Sequence, residues 1–318
     1  MKLIIPQSLA AEITPRIHEI ARTVVVVPVD DHGRTGGSLD DAEILLRAMP
    51  RAVFTRLLEA APQLRWVHTL SAGIDSFPTA QLRQRKVVLT NSSGAHAIPI
   101  SEFVMATVLA QAKKMREIAA LSPDASWKIG RQFELGELYG STLLIIGFGS
   151  IGREVARRAT AFGMRVLASR RRPAPVDGVA MVVGEAGWRT LLPDSDYVVI
   201  CAPLTDATRG MFDQAAFAAM KPGAYLINIA RGAILDTNAL LAVLQNGHLA
   251  GAALDVLPEE PLPTDHPLWV APNMSISPHI SGSSPRTNAR ELEYFFDNLR
   301  RYAAGEPLVN VVDLEAGY

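Results

Sequence analysis

The stretch Leu143-Leu144-Ile145-Ile146-Gly147-Phe148-Gly149-Ser150-Ile151-Gly152 decides how the chain is read. Four apolar residues run into Gly147, and a helical pattern follows over 151–162. A buried strand, a tight turn and a helix are expected in that order. The Gly-x-Gly-x-x-Gly spacing gives each glycine a task. The first permits the turn, the second lets a phosphate approach the backbone, and the third lets the helix pack against the strand. N–H groups at the helix start then face a pyrophosphate. Gly147, Gly149, Ser150, Ile151 and Gly152 are the candidate dinucleotide contacts. Such a run alone also fits a plain strand-turn-helix corner. The flanking strand and helix, and a further strand over 165–168, favour the nucleotide.

That further strand runs into Ser169-Arg170-Arg171-Arg172. An acidic side chain near this point bonds the ribose 2′-hydroxyl of NAD, whereas a guanidinium grips a 2′-phosphate bidentately. Arg170 stands eighteen residues beyond Gly152, with Arg171 beside it and the Ser169 hydroxyl within the same turn. This predicts a preference for NADP(H), with NAD(H) possible. Three consecutive arginines are also a common solvated run, and the position in the motif is what weighs against that reading.

Outward from this turn, short apolar runs alternate with helical patterns. Strands are expected over 143–146, 165–168, 197–200, 224–229, 250–254 and 274–276. Helices are expected over 151–162, 213–220, 237–246 and 284–304, with a helical turn over 188–192. The N-terminal part reads the same way: strands over 2–5, 24–29, 52–54, 65–69 and 87–90, helices over 9–20, 40–49 and 57–61, and a loop over 31–38. Residues 100–118 form one long amphipathic pattern with cations at its end, and 121–136 lose periodicity and read as a loop. Alternation of this kind implies parallel strands and an α/β fold. Two such series in 318 residues suggest two domains.

Composition narrows the function. Hydrophobic residues make up 48% and the net charge is -1, so the chain is globular and has no electrostatic case for nucleic acid or a membrane surface. One cysteine, Cys201, permits no disulfide within the chain and no thiolate metal cage. That fits a reducing cytoplasm. Pro6 interrupts the apolar N-terminal run, so no secretory signal is expected, and no stretch approaches the ~20 apolar residues that span a bilayer.

Several further segments stand in a fixed order: Cys201-Ala202-Pro203-Leu204-Thr205 with Thr208; Ile227-Asn228-Ile229-Ala230-Arg231-Gly232; Leu254-Asp255-Val256 with Glu260-Pro261-Leu262; and Ser277-Pro278-His279-Ile280. With the glycine turn, they make the chain resemble the D-isomer-specific 2-hydroxyacid dehydrogenases over nearly its whole length, the glyoxylate/hydroxypyruvate reductases in particular. The resemblance implies a Rossmann-type doubly wound nucleotide domain over 99–284. It also implies a flavodoxin-like α/β substrate domain built from 1–98 and 285–318. The cleft between them is expected to close over the substrate.

The resemblance also implies a catalytic Arg231, Glu260 and His279. Reduction of a 2-keto acid needs a hydride on carbon and a proton on oxygen. A protonated His279 is the expected donor, Glu260 favours that form and fixes its tautomer, and Arg231 binds the carboxylate and polarises the carbonyl. No metal is required. Taken singly, each has a bland reading: His279 as a turn residue, Glu260 and its neighbour Glu259 as a solvated acidic loop, Arg231 as a surface residue. Ala230 and Asp255 are expected at the nicotinamide, Pro203 and Thr208 on the adenosine side, and Cys201 and Gly282 in the cofactor set. Cys201 reads as a wall residue and His96 as a structural one. Ser71, Ala72 and Gly73 match the substrate loop, where Ala72 and Gly73 offer backbone N–H groups to the carboxylate. A simple turn is the rival reading. A homodimer through the nucleotide domain is implied.

Two alternatives stay open. D-3-phosphoglycerate oxidation calls for more cations near the substrate, where only Arg56 is in view. A cofactor-sensing binding protein would not need Arg231, Glu260 and His279 together.

Overall fold

The computed structural model describes residues 1–75, 77–122, 127 and 134–316. The chain divides into two compact units: Met1–Ala95 together with the chain from Ser284 onward, and His96–Ser283.

In the first unit β1 (Lys2–Pro6), β2 (Val25–Val29), β3 (Ile44–Arg47), β4 (Trp66–Thr69) and β5 (Val88–Asn91) form a parallel sheet in the order β2-β1-β3-β4-β5. This is the flavodoxin-like order. Successive side chains alternate between faces. Ile4, Leu45, Val67 and Leu89 pack on Phe54, Leu57 and Leu58 of α2 (Arg51–Ala60). On the other face Leu3, Ile5, Ile44, Leu46 and Trp66 meet Ile13 and Ile17 of α1 (Gln7–Ile20) and Phe295 and Leu299 of the C-terminal helix Thr287–Ala304. Each such Leu or Ile, fully buried, stabilises by ~1.5–3 kcal/mol.

Two expectations fail here. Residues 40–49 are not a helix, because Ile44, Leu45 and Leu46 are all fully buried and form β3, covered on both faces. Residues 52–54 are not a strand. Phe54, Leu57 and Leu58 recur at i, i+3 and i+4, and that stripe is the buried face of α2. The short helix α3 (Thr79–Gln84) had no expected counterpart.

The second unit opens with α4 (Ala97–Ala112) and α5 (Met115–Ala119). The single helix expected over 100–118 is broken at Lys114, which takes a left-handed conformation (φ 49°). Val104, Val108 and Ala112 of α4 are buried with Val155, Ala156 and Ala159 of α6 (Ser150–Ala161). The loop expected over 121–136 falls largely outside the described residues.

Its sheet contains β6 (Thr142–Ile146), β7 (Arg165–Ser169), β8 (Met181–Val183), β9 (Tyr197–Ile200), β10 (Tyr225–Asn228), β11 (Gly251–Leu254) and β12 (Met274–Ile276). The order among the described residues is β12-β11-β10-β9-β6-β7-β8, every pair parallel. This is the Rossmann-type doubly wound sheet. α7 (Gln214–Ala219) and α8 (Thr237–Gln245) begin at Asp213 and Asp236, whose carboxylates accept N–H groups of the first turn. The winding reverses between β6 and β9, and in such sheets a ligand lies in the crevice at the carboxyl ends of the strands that flank this point. The glycine turn is at the end of β6. The edge strand β8 was not anticipated.

Candidate active site

The three glycines of the turn meet different surroundings. Gly147 has φ 94°, and a Cβ there would stand 2.4 Å from the Ala202 backbone nitrogen. A Cβ on Gly152 would stand 2.9 Å from the Gly147 carbonyl oxygen, so the helix packs on the turn itself. At Gly149 nothing lies within 4 Å of the corresponding position. Two glycines are dictated by packing, and the middle one leaves an open cradle over the backbone. The amides of Ser150, Ile151 and Gly152 precede the bond from Arg153 N–H to Gly149 oxygen (3.1 Å), so no turn of helix lies before them to accept from them. This arrangement fits a pyrophosphate.

At the end of β7 the buried Ser169 uses its carbonyl to hold the N–H groups of Gly147 and Phe148. Arg170 is half-buried and its N–H is fixed by Val183 oxygen (3.1 Å), while Arg171 and Arg172 are exposed. At the end of β9, Thr208 Oγ1 donates to the Pro203 carbonyl (2.7 Å) and accepts from Thr205 N–H (2.8 Å), closing the loop 203–208. Burial pushes the Cys201 thiol up to about 12, which leaves it protonated and unreactive.

β10 ends at Asn228, which is fully buried. Its Nδ2 donates to Arg231 oxygen (2.9 Å) and its Oδ1 accepts from Ala230 N–H (3.0 Å). The side chain thereby holds the turn that carries Ala230 and Arg231. Gly232 follows because a Cβ there would stand 2.0 Å from Leu257 oxygen. Sequence reading missed Asn228 as a site residue, although it lies inside a quoted motif.

His279 sits after β12 with φ 54°, an uncommon conformation for a residue with a side chain. The buried Asp255, one residue beyond β11, explains how it is held. Its carbonyl accepts His279 N–H (2.8 Å). Its carboxylate accepts the Ser277 hydroxyl (2.6 Å) and the N–H groups of Ile280 (2.9 Å) and Ser281 (3.0 Å). Burial raises the Asp255 pKa, but these three donors to the carboxylate, with the Ser281 hydroxyl, outweigh it and hold it below the ordinary value. Asp255 and Ser277 are thus the frame of the His279 turn. Ser277 was not singled out from sequence.

Glu260, not Glu259, pairs with the imidazole: His279 Nδ1 lies 2.9 Å from Glu260 Oε2, and Oε1 accepts Leu257 N–H (3.0 Å). Among the described residues nothing bonds His279 Nε2. Arg231 Nη1 donates to Ala230 oxygen (2.6 Å). Gly282 packs against His96, whose Nδ1 is 3.4 Å from the Gly282 carbonyl. Among the described residues no group of three His, Cys, Asp or Glu side chains is placed to hold a metal ion.

In the first unit, Ser71, Ala72 and Gly73 follow β4. Asn91 Nδ2 donates to Ala72 oxygen (2.8 Å), and the Ser71 hydroxyl donates to Gly73 oxygen (2.9 Å). Among the described residues nothing accepts from the N–H groups of Ala72 and Gly73. Two adjacent free amides are what an anion-binding nest requires. Arg56 Nη2 donates to the His32 carbonyl (2.8 Å). No helix among the described residues is long and apolar enough to cross a membrane.

The family profile described as D-isomer specific 2-hydroxyacid dehydrogenase, NAD binding domain, matches residues 105–281. A glyoxylate reductase of Korarchaeum cryptofilum is 34% identical, over 86% of this chain and 84% of its own length. The glyoxylate/hydroxypyruvate reductase B of Klebsiella pneumoniae is 37% identical over 76% of each chain. Among solved structures, an NADPH-dependent glyoxylate/hydroxypyruvate reductase from Sinorhizobium meliloti, in complex with NADP and sulfate, superposes with a TM-score of 0.83. It is 27% identical, covering 100% of this chain and 99% of that one.

Proposed function

Because the chain belongs to the D-isomer specific 2-hydroxyacid dehydrogenase family, we propose that it reduces small 2-keto acids, glyoxylate and hydroxypyruvate foremost, to D-2-hydroxy acids with NADPH. The observation that carries this reading is the His279–Glu260 pair at 2.9 Å, on the same unit as Arg231 and the glycine turn. The names of the relatives support the substrate class.

A bound nicotinamide dinucleotide supplies the hydride for the carbonyl carbon. Gly147, Gly149, Ser150, Ile151 and Gly152 hold its pyrophosphate, and Arg170 and Arg171 take the 2′-phosphate. Pro203 and Thr208 would line the adenosine and Ala230 and Asp255 the nicotinamide, with Cys201 and Gly282 among the cofactor contacts. Glu260 accepts from Nδ1, which leaves His279 Nε2 as the nitrogen that gives its proton to the carbonyl oxygen. Arg231 polarises that oxygen and binds the carboxylate. Hydride and proton together convert the ketone into the alcohol. For the first unit, the family resemblance makes the amides of Ala72 and Gly73, beside Ser71, the candidate contacts for a substrate carboxylate. The working form is a cytoplasmic homodimer joined through the nucleotide-binding unit.

A panel of 2-keto acids assayed with NADPH and with NADH, followed by absorbance, tests the reading. Turnover of glyoxylate or hydroxypyruvate, lost in His279→Ala with cofactor binding preserved, is expected. Cofactor binding with no turnover of any keto acid would make the protein a cofactor sensor instead.

A further inference from the structure

The loop Ser71-Ala72-Gly73 has no regular structure to orient it, yet each of its carbonyls is tied inward. Ser71 oxygen accepts Ser92 N–H (3.4 Å), Ala72 oxygen accepts Asn91 Nδ2 (2.8 Å), and Gly73 oxygen accepts the Ser71 hydroxyl (2.9 Å). A trans peptide points its C=O and N–H in opposite directions. The Ala72 carbonyl belongs to the same peptide as the Gly73 N–H, and the Ser71 carbonyl to the same peptide as the Ala72 N–H. Whatever holds these two carbonyls therefore aims the two free amides. The Ser71 carbonyl is held by backbone. The Ala72 carbonyl is held by one side chain.

We infer that Asn91 is a positioning residue for substrate: it aims the Gly73 amide by holding the Ala72 carbonyl. Asn91 suits this because it is itself fixed. It ends β5, is 8% exposed, and its N–H donates to Asn310 oxygen (3.2 Å). Its Oδ1 accepts Ser93 N–H (3.1 Å), so the amide orientation is settled by its partners: oxygen to a donor, nitrogen to an acceptor. Asn310 Nδ2 donates to Ser93 oxygen (2.9 Å) and Val312 N–H to Leu89 oxygen (2.8 Å), so the C-terminal segment braces the end of β5 that carries Asn91. The inference rests on the proposal that the Ala72 and Gly73 amides receive the substrate carboxylate.

Asn91→Asp is the sharpest test. The introduced carboxylate keeps an acceptor for Ser93 N–H and replaces only the donor to Ala72. At neutral pH it opposes the Ala72 carbonyl, lone pair against lone pair. In the full-length enzyme with NADPH, KM for glyoxylate is expected to rise about three- to tenfold, the scale of one hydrogen bond. The contact is the same in ground and transition states, so kcat stays within about twofold. KM for NADPH stays at the wild-type value. As pH falls from 7.5 toward 5 the new carboxyl gains a proton and donates to Ala72, so the variant-to-wild-type ratio of KM values falls back toward one. Asn91→Ala is expected to raise KM alike with no such recovery.

An unchanged KM in both variants overturns the inference. So does a joint fall of kcat, NADPH affinity and melting temperature, or failure of both variants to fold, since each makes Asn91 merely structural. The underlying reading is checked separately by comparing a keto acid with its methyl ester on the wild type. Equal turnover of the ester defeats the carboxylate subsite; strong preference for the acid with an unmoved KM in the variants defeats Asn91 alone.

Discussion

His279 Nδ1 lies 2.9 Å from Oε2 of Glu260, and the other oxygen of that carboxylate accepts Leu257 N–H at 3.0 Å. Burial pushes the Glu260 carboxyl up, but the His279 hydrogen bond and the Leu257 amide outweigh it, and the carboxyl is held below its ordinary value. A lowered carboxylate contributes its pairing above the unfolded value of ~4.3 and loses it as pH falls through the lowered folded value. The anion is therefore in place across the neutral range. Glu260→Gln keeps the shape and removes the charge. Its kcat for keto-acid reduction is expected to fall about 10²–10⁴-fold. The pair is half-exposed, so stability should change by less than ~1 kcal/mol. Steady-state kinetics with a denaturation curve separates the two effects. A variant that turns over at the wild-type rate removes the pair from the chemistry.

The glycines of the turn make opposite predictions. A methyl at Gly147 meets the Ala202 backbone nitrogen at 2.4 Å and sits at φ 94°, so Gly147→Ala is expected to lower stability by several kcal/mol or prevent folding. A methyl at Gly149 meets nothing within 4 Å. Gly149→Ala should melt at the wild-type temperature and lose NADPH affinity, because the methyl fills space the pyrophosphate needs. Melting temperature and NADPH titration of both variants decide this. Unchanged NADPH affinity in Gly149→Ala would mean that the cradle holds something else.

Much of this was legible in the chain because a buried parallel strand writes itself as a continuous apolar run. Leu143-Leu144-Ile145-Ile146 and Tyr197-Val198-Val199-Ile200 lie between turn residues and admit little else. Ile44-Leu45-Leu46 carries the same signal, but the preceding Asp40, Asp41 and Glu43 made the window look amphipathic and helical. β8 is a three-residue edge strand, half-exposed, and its run is too short to register. At the site, the motifs named Arg231, Glu260 and His279. They named Glu260 over its neighbour Glu259, and it is Glu260 whose carboxylate lies 2.9 Å from the imidazole; the distance itself is set by the path of the loop, which no motif states. Asn228 and Ser277 escaped for a related reason. They act on other residues' turns, and β10 and β12 become neighbours of β11 only in the folded sheet.

His68 offers a test of the first unit through pH. It is buried between Thr90 Oγ1, 2.8 Å from Nδ1, and Ser92 Oγ, 3.2 Å from Nε2, and Trp66 Nε1 donates to the same Thr90 oxygen (2.8 Å). Burial pushes its imidazole down to about 3. The unfolded chain takes up a proton near ~6.5, whereas the folded chain does not until about 3. Stability is whole above the unfolded value and drains as pH falls between the two, by ~1.4 kcal/mol per pH unit. His68→Asn removes this proton. Denaturant unfolding at pH 7, 6, 5 and 4 should show the wild type losing its advantage over the variant at that slope below ~6.5. A difference that does not vary with pH would mean that the folded protein holds His68 charged.

The proposed preference for NADPH turns on Arg170. The Val183 carbonyl fixes its backbone at the end of β7, beside the turn that Ser169 holds, and among the described residues its guanidinium bonds nothing. A guanidinium so placed matches the charge and the forked geometry of a 2′-phosphate, and a carboxylate there repels that phosphate and accepts from a 2′-hydroxyl. Arg170→Asp should therefore lower kcat/KM with NADPH about 10–100-fold, the worth of charge-assisted hydrogen bonds, and raise it with NADH. The change should fall on cofactor KM and leave kcat nearly alone, because the 2′-position lies far from the reacting carbon. Side-by-side kinetics of the wild type and variant with the two cofactors reads this directly. A wild type that prefers NADH, or a variant whose preference does not move, would assign the three arginines to the solvated surface.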